Sequence, residues 1–184
     1  MNKPDSEFNS CLEAIRAGGL VVHATEGVFG FASSVDFPDT IARITALKGR
    51  DPQASPFLVV AADLQQVERL VSLEVPCIDQ IRSSWPGAVT WIFPEKSKDY
   101  PWLGGADGSL AVRVTAHPQA QQLAALAGPL VSTSANRHGE AAALTVAAAR
   151  QYFGDGVDFY LDGVLSTPGQ PSEIRHAVSG ERLR

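Results

Sequence analysis

The sequence predicts an α/β protein, a sheet with helices packed against it, folded as one domain over residues 1–184. Three observations predict it. Short apolar runs of strand length alternate from end to end with segments whose apolar residues recur at helical spacing. No internal repeat, low-complexity tract or interdomain linker interrupts that alternation. The chain has 184 residues, 45% of them hydrophobic and 19% charged, enough to bury one sizeable core and ordinary for a globular protein.

The elements follow in order. Phe8, Cys11, Leu12 and Ile15 fall on one helical face after Ser6, and Gly18-Gly19 ends that helix. Leu20–Ala24 reads as a short buried strand. Asp39 is placed to cap a helix carrying Ile41, Ile44 and Leu47, which stops near Gly49. Phe57–Val60 is a second strand, and Asp63 caps the next helix. Ile78, Ile81 and Trp85 mark another helix, halted by Pro86-Gly87, and Val89–Phe93 is a strand. Pro94–Gly108 is a Gly/Pro/charged loop, long enough to cover or bind something. Ser109–Val114 is a strand, Pro118 opens a helix ending at Gly128, and Leu130–Ser134 is a strand. Thr145 caps a helix to Phe153, and Phe159–Asp162 and Glu173–Ala177 give two late short strands.

Composition excludes several roles. A net charge of −5 argues against a surface built mainly to hold a nucleic-acid backbone, though it leaves room for a locally basic cleft. Cys11 and Cys77 fit no metal or redox spacing and read as buried thiols in a reducing compartment. The N-terminus lacks the apolar segment of a signal peptide, and the apolar run Phe57–Ala62 is far too short to span a bilayer, so the expected location is the cytoplasm, away from any membrane. There is no G-x-x-x-x-G-K-[ST], no G-x-G-x-x-G after a strand, no H-E-x-x-H and no G-x-S-x-G. The four histidines are scattered, so no metal site is expected.

Four segments carry candidate chemistry. In SLAVRV, residues 109–114, alternation puts Leu110, Val112 and Val114 on one face and Ser109, Ala111 and Arg113 on the other. Arg113 then either meets solvent or a structural carboxylate, or serves as a fork for a ligand carboxylate or phosphate. Lys48 and Arg50 stand where a helix gives way to a Gly/Pro loop. They can converge on one anion or simply complement a helix C-terminus. In PLVSTSANRHG, residues 129–139, Ser132 and Ser134 share a strand face and Asn136 follows at the strand end. Such hydroxyls and turn amides either cradle phosphate oxygens or bond their own backbone. In HATEGVFGF, residues 23–31, Thr25 and Glu26 precede glycines that allow either close approach to a ligand or a tight turn.

Taken together and in order, these segments resemble the threonylcarbamoyl-AMP synthase family, the TsaC/YrdC-like proteins. Residues 23–30, HATEGVFG, are similar to the family's Y-P-T-E-[TA]-V-[YF]-G, and Lys48-Gly49-Arg50 to its K-x-R. Residues 85–90, WPGAVT, are similar to W-P-G-P-x-T, and residues 109–118 to [ST]-x-A-V-R-x-P-x-H-P with Thr115 in the proline place. Residues 134–139, SANRHG, resemble S-A-N-x-S-G, and residues 171–174, PSEI, resemble P-S-x-I. The likeness runs from about Leu20 onward. The chain departs from the pattern at His23-Ala24, Gly27 and His138, and in a loop after Arg50 that is one residue longer.

The resemblance implies a twisted mixed sheet around a large basic cavity, in the short single-domain form. It implies synthesis of threonylcarbamoyl-AMP and pyrophosphate from L-threonine, bicarbonate or CO2, and ATP. A separate transferase complex would pass the threonylcarbamoyl group to an adenosine beside the tRNA anticodon; weak binding of tRNA itself is compatible with this. Position by position, Lys48 and Arg50 would hold the ATP phosphates and act in catalysis, with Ser109, Ser134, Asn136 and Arg184 also at the nucleotide. Thr25, Arg113, Ser132 and Ser172 would hold threonine. Mg²⁺ would arrive with ATP rather than in a protein motif. Two rivals stand beside it: a non-catalytic module binding double-stranded RNA or tRNA, and a carbamoyl-transfer domain using carbamoyl phosphate.

Overall fold

The computed structural model of the chain describes residues 3–49, 57–105 and 107–184. Its elements are α1 (Lys3–Arg16), β1 (Val21–Ala24), β2 (Phe29–Ser34), α2 (Pro38–Lys48), β3 (Leu58–Ala61), α3 (Leu64–Glu68), α4 (Ile78–Ser84), β4 (Val89–Phe93), β5 (Leu110–Val114), α5 (Pro118–Ala127), β6 (Leu130–Ser134), α6 (Val146–Phe153), a 3-10 turn at Gly154–Gly156, β7 (Phe159–Tyr160) and β8 (Glu173–His176). The eight strands form one sheet in the order β7-β1-β2-β6-β3-β5-β4-β8. It is mixed: β7 on β1, β5 on β3 and β8 on β4 are parallel, and the remaining neighbours are antiparallel.

Strand β2 is absent from the sequence-based expectation. Its residues, FGFASS, are all buried and pair with β1 on one side and β6 on the other. A strand covered on both faces loses the apolar–polar alternation that reveals a half-exposed one. Gly30 in its middle reads as a turn. Helix α2 also begins differently: Pro38 stands at its first turn, and Asp39, the expected cap, lies inside that turn, where a carboxylate complements the helix dipole. The helix ends at Gly49 (φ 59°), whose left-handed backbone a side chain would oppose. This leaves Lys48 as the last helical residue, with its side chain turned inward and buried.

Helices α1 and α5 cover one face of the sheet, packing Cys11, Leu12, Ile15, Leu123 and Ala124 on Val21, Ala32 and Leu130. The opposite face buries Phe29, Phe31, Val59, Val112 and Val131 against Ile41 and Ile44 of α2, Ile81 of α4 and Phe153 of α6. Phe31 and Phe153 meet edge to face, with centroids 4.7 Å apart. Each such side chain contributes about 1.5–3 kcal/mol on burial. Cys11 and Cys77 are free and buried, and burial pushes the Cys11 thiol up to about 12, which keeps it inert. No helix among the described residues is long and apolar enough to cross a membrane.

The sheet is curled. Four strand spacings separate β1 from β5, roughly 19 Å on a flat sheet. Yet Glu26, just beyond β1, contacts Arg113 on β5 at 3.1 Å. Accumulated strand twist and the turn at residues 25–28 bring them together across a concave face. Residues 161–172, here called the strap, join the two edge strands β7 and β8 and lie over that turn.

Candidate functional site

The first cluster forms at the end of β6. Lys48 Nζ donates to Ser134 O (2.5 Å), Asn136 O (3.0 Å) and Asn136 Oδ1 (3.1 Å). Ser134 Oγ donates to Asn136 Oδ1 (2.6 Å), and Asn136 Nδ2 donates to the carbonyls of Arg137 and Glu140. The main-chain N–H of His138 donates to Lys48 O at 2.7 Å. A buried ammonium thus pulls two carbonyls and an amide oxygen inward, which fixes the conformation of the Ser134–Asn136 turn. Charge-assisted bonds of this kind outweigh the neutral hydrogen bonds of an ordinary turn. Arg50, expected beside Lys48, lies outside the described residues.

Gly30 of β2 sits at the junction of three candidates. It pairs with Ser134 in register, and a Cβ built on it would lie 3.4 Å from Thr25 Cγ2 and 3.8 Å from Ser132 Oγ. Thr25 uses its hydroxyl to close its own turn, donating to Val28 O at 2.7 Å. Its methyl, not its hydroxyl, therefore faces Gly30. Ser132, Leu58 and Ala111 lie in one cross-strand row, and two residues further toward the same sheet end stand Ser134 and Ser109. Two strand spacings, roughly 10 Å, separate those two serines. Ser109 donates to Asp107 Oδ1 at 2.7 Å, which holds the Asp107 carboxyl below the usual range.

Arg113 lies deeper on the same face and is 5% exposed. Its Nη2 pairs with Glu26 Oε2 at 3.1 Å, so the structural-carboxylate alternative is realised. Glu26 Oε1 accepts a hydrogen bond from Thr115 Oγ1 at 2.6 Å, and Thr115 Oγ1 accepts one from the N–H of His117. The pair is not saturated: neither Arg113 Nε nor Glu26 Oε2 has a hydrogen-bond partner among the described residues. Burial pushes the Arg113 guanidinium down from its ordinary value, against the pull of Glu26; the Arg184 charge also lowers it. Arg184 itself donates to Ser172 O (3.2 Å) and Ser172 Oγ (3.3 Å), so these two candidates are brought together at the entrance to β8.

Glu26, Thr115 and His117 are joined to Arg113 by these bonds, and neither they nor the buried His23 carry a role in the sequence-based expectation. Glu26 was visible as the acid of T-E-G, but its partner was not, because β1 and β5 are distant in sequence. His23, 2% exposed, lies on the strand face that carries Ser134, and its Nδ1 has no partner among the described residues. Burial pushes its pKa down to about 4, and His117 nearby adds to this, so the ring is neutral at physiological pH. The lining is mixed rather than uniformly basic, since Glu26 offsets Arg113. Two open clefts, of about 870 Å³ beside α1 and α5 and about 560 Å³ around Pro94–Pro101, contain none of the predicted site residues.

The sequence profile of the Sua5/YciO/YrdC family, described as "Telomere recombination", matches residues 13–184. The chain is 41% identical over 186 residues to a threonylcarbamoyl-AMP synthase of Chromohalobacter salexigens, covering 100% of both chains. It is 42% identical over 183 residues to one of Nitrosococcus oceani, covering 98% of each. Among solved structures, the Sua5 protein of P. abyssi complexed with L-threonine superposes with a TM-score of 0.83 at 28% identity. That match covers 92% of this chain and 50% of the other, so the chain spans about half the length of that protein.

Proposed function

The chain belongs to the Sua5/YciO/YrdC family, within its threonylcarbamoyl-AMP synthases, and we propose from that premise that it makes threonylcarbamoyl-AMP. The substrates of this reading are L-threonine, bicarbonate or CO2, and ATP. The observation that carries it is the concave face itself: a buried, unsaturated Arg113 deep in it, and the Lys48–Ser134–Asn136 turn with Ser109 at its end. A small zwitterion and a nucleotide need these two environments side by side. An unspecific RNA platform needs clustered exposed cations instead, and the net charge of −5 and the buried Lys48 and Arg113 disfavour it.

In this reading the threonine amine adds to CO2 and releases a proton, giving a carbamate. A carbamate oxygen then forms a bond to the α-phosphorus of ATP as the bond to the β-phosphate oxygen breaks, and pyrophosphate leaves. No covalent enzyme intermediate is needed, so the protein contributes positioning and charge. Arg113 receives the threonine carboxylate end, and Ser132, Thr25 and Ser172 are the other residues assigned to threonine. Ser134, Asn136, Ser109 and Arg184 receive the nucleotide and Lys48 and Arg50 its phosphates, Lys48 also setting the Ser134–Asn136 turn. Mg²⁺ would accompany ATP as counter-ion to the phosphates. The product passes, in this proposal, to a transferase complex acting on tRNA in the cytoplasm.

The test is threonine-dependent pyrophosphate release from ATP in the presence of bicarbonate, with labelled threonine appearing in an adenylate. Arg113→Ala is expected to lower kcat/KM for threonine by about a hundredfold, the scale of a lost charged contact. Absence of threonine-dependent release by the unaltered protein refutes the proposal.

A further inference from the structure

We propose that Glu26 is a positioning residue that aims Arg113 at the substrate carboxylate, and that Thr115 holds Glu26 in that pose. The inference rests on the reading that this pocket takes an amino acid, and it assigns a role to two residues that the reading leaves without one.

The pair is built as an anchor rather than as a closed salt bridge. A closed Arg–carboxylate pair is bidentate, with two parallel N–H···O bonds that consume one whole edge of the guanidinium. Here a single close contact joins Arg113 Nη2 to Glu26 Oε2 at 3.1 Å, and Arg113 Nε finds no acceptor among the described residues. An unsatisfied donor on a side chain with 5% exposure is costly, and an incoming carboxylate would satisfy it. Glu26 is itself pinned from two directions. Thr115 Oγ1 donates to its Oε1 at 2.6 Å, and its main-chain carbonyl accepts from Thr167 N of the strap at 2.7 Å. Thr115 occupies the place where the resembling pattern has proline, which has no hydroxyl to donate. The chain therefore carries its own fixation of Glu26, linked through the N–H of His117 to the first turn of α5.

Because Glu26 acts through Arg113, its loss should remove recognition of a carboxylate and leave the nucleotide end intact. The experiment is calorimetric binding of L-threonine and of L-threoninamide, which lacks the anionic carboxylate, to the unaltered protein, Glu26→Gln and Thr115→Val. ATP KM and thermal melting are measured alongside. The unaltered protein is expected to prefer threonine over its amide by about tenfold or more, the range of a charge-assisted pair. In Glu26→Gln that preference should fall to about twofold through weaker threonine binding, with ATP KM unchanged. Thr115→Val, a milder change that keeps both charges, should reduce the preference part-way, and it keeps the inference testable if Glu26→Gln does not fold. Equal weakening of both ligands, or an undiminished preference in both variants, overturns it. So does tighter threonine binding to Glu26→Gln, which would make Glu26 a competitor for Arg113. Failure of the unaltered protein to bind threonine removes the functional reading and this inference with it, whereas binding with undiminished preference in the variants removes only the inference.

Discussion

The main-chain carbonyl of Gln170 occupies the space that a side chain on Gly27 would need. Gly169 N donates to Gly27 O at 2.8 Å, and Thr167 N donates to Glu26 O at 2.7 Å, so the strap lies directly on the β1–β2 turn. The Thr or Ala of the resembling pattern has no room there. Gly27→Ala is expected to lift the strap locally, costing about 1–3 kcal/mol of stability, the usual range for overpacking. Threonine KM should rise severalfold with ATP KM little changed. Thermal melts and steady-state kinetics in each substrate check both parts.

Lys48 gives a second prediction. Its ammonium holds Ser134 O, Asn136 O and Asn136 Oδ1, so Lys48→Met removes the charge that draws the turn inward. Expected are a stability loss of about 1.5–3 kcal/mol and a fall in pyrophosphate release of about a hundredfold. Lys48→Arg should not restore activity, because a planar fork does not match three oxygens converging on one point. Full activity in either variant would show that the turn keeps its shape without the ammonium.

The buried His23 makes stability depend on pH in a window that can be named. Its folded pKa, about 4, lies below the ordinary 6.5, with His117 lowering it further and Glu26 opposing. The unfolded chain therefore takes up this proton first as pH falls. Stability from His23 is full above pH 6.5, declines between 6.5 and about 4, and levels off below. The loss can reach about 3 kcal/mol. Denaturant titrations of the unaltered protein and His23→Gln across that range should differ in slope; parallel curves would remove His23 from the account.

Arg184 and Ser172 give a milder test. Arg184 is exposed, and its two hydrogen bonds to Ser172 are open to water, so Arg184→Ala should cost less than about 1 kcal/mol of stability. The role at the nucleotide proposed for it predicts a severalfold rise in ATP KM. An unchanged ATP KM would confine Arg184 to tethering the entrance to β8.

Much of this architecture was legible in the sequence, and the exceptions have physical causes. Val89–Phe93, the Asp63 cap and the Thr145 cap follow from local rules, and each side chain caps as read: Asp63 accepts from Gln66 N and Thr145 from Ala148 N. The facing of Arg113 and Ser132 follows from alternation alone. Strand β2 was missed because burial on both faces erases alternation. Glu26 stayed without a role because its partner lies four strands away and is reached only through the curl of the sheet, which no local pattern encodes. Lys48 can face an anion or complement its helix end, and its ammonium is seen bonded to Ser134 O, Asn136 O and Asn136 Oδ1. A charge at a helix end looks the same in sequence whichever way it turns.

The strap has one more consequence. It starts at β7 on one border of the sheet and finishes at β8 on the other, and its anchor points are the turn carrying Glu26, the first turn of α5 and the entrance to β8. A flat eight-stranded sheet is roughly 34 Å wide, while twelve extended residues reach at most about 40 Å. With a turn at Thr167–Gln170 shortening its reach, the strap works as a drawstring: the bowl cannot flatten without pulling it taut. A protease cut in its exposed stretch, residues 166–171, would leave every strand pairing in place while freeing the two rims to spread.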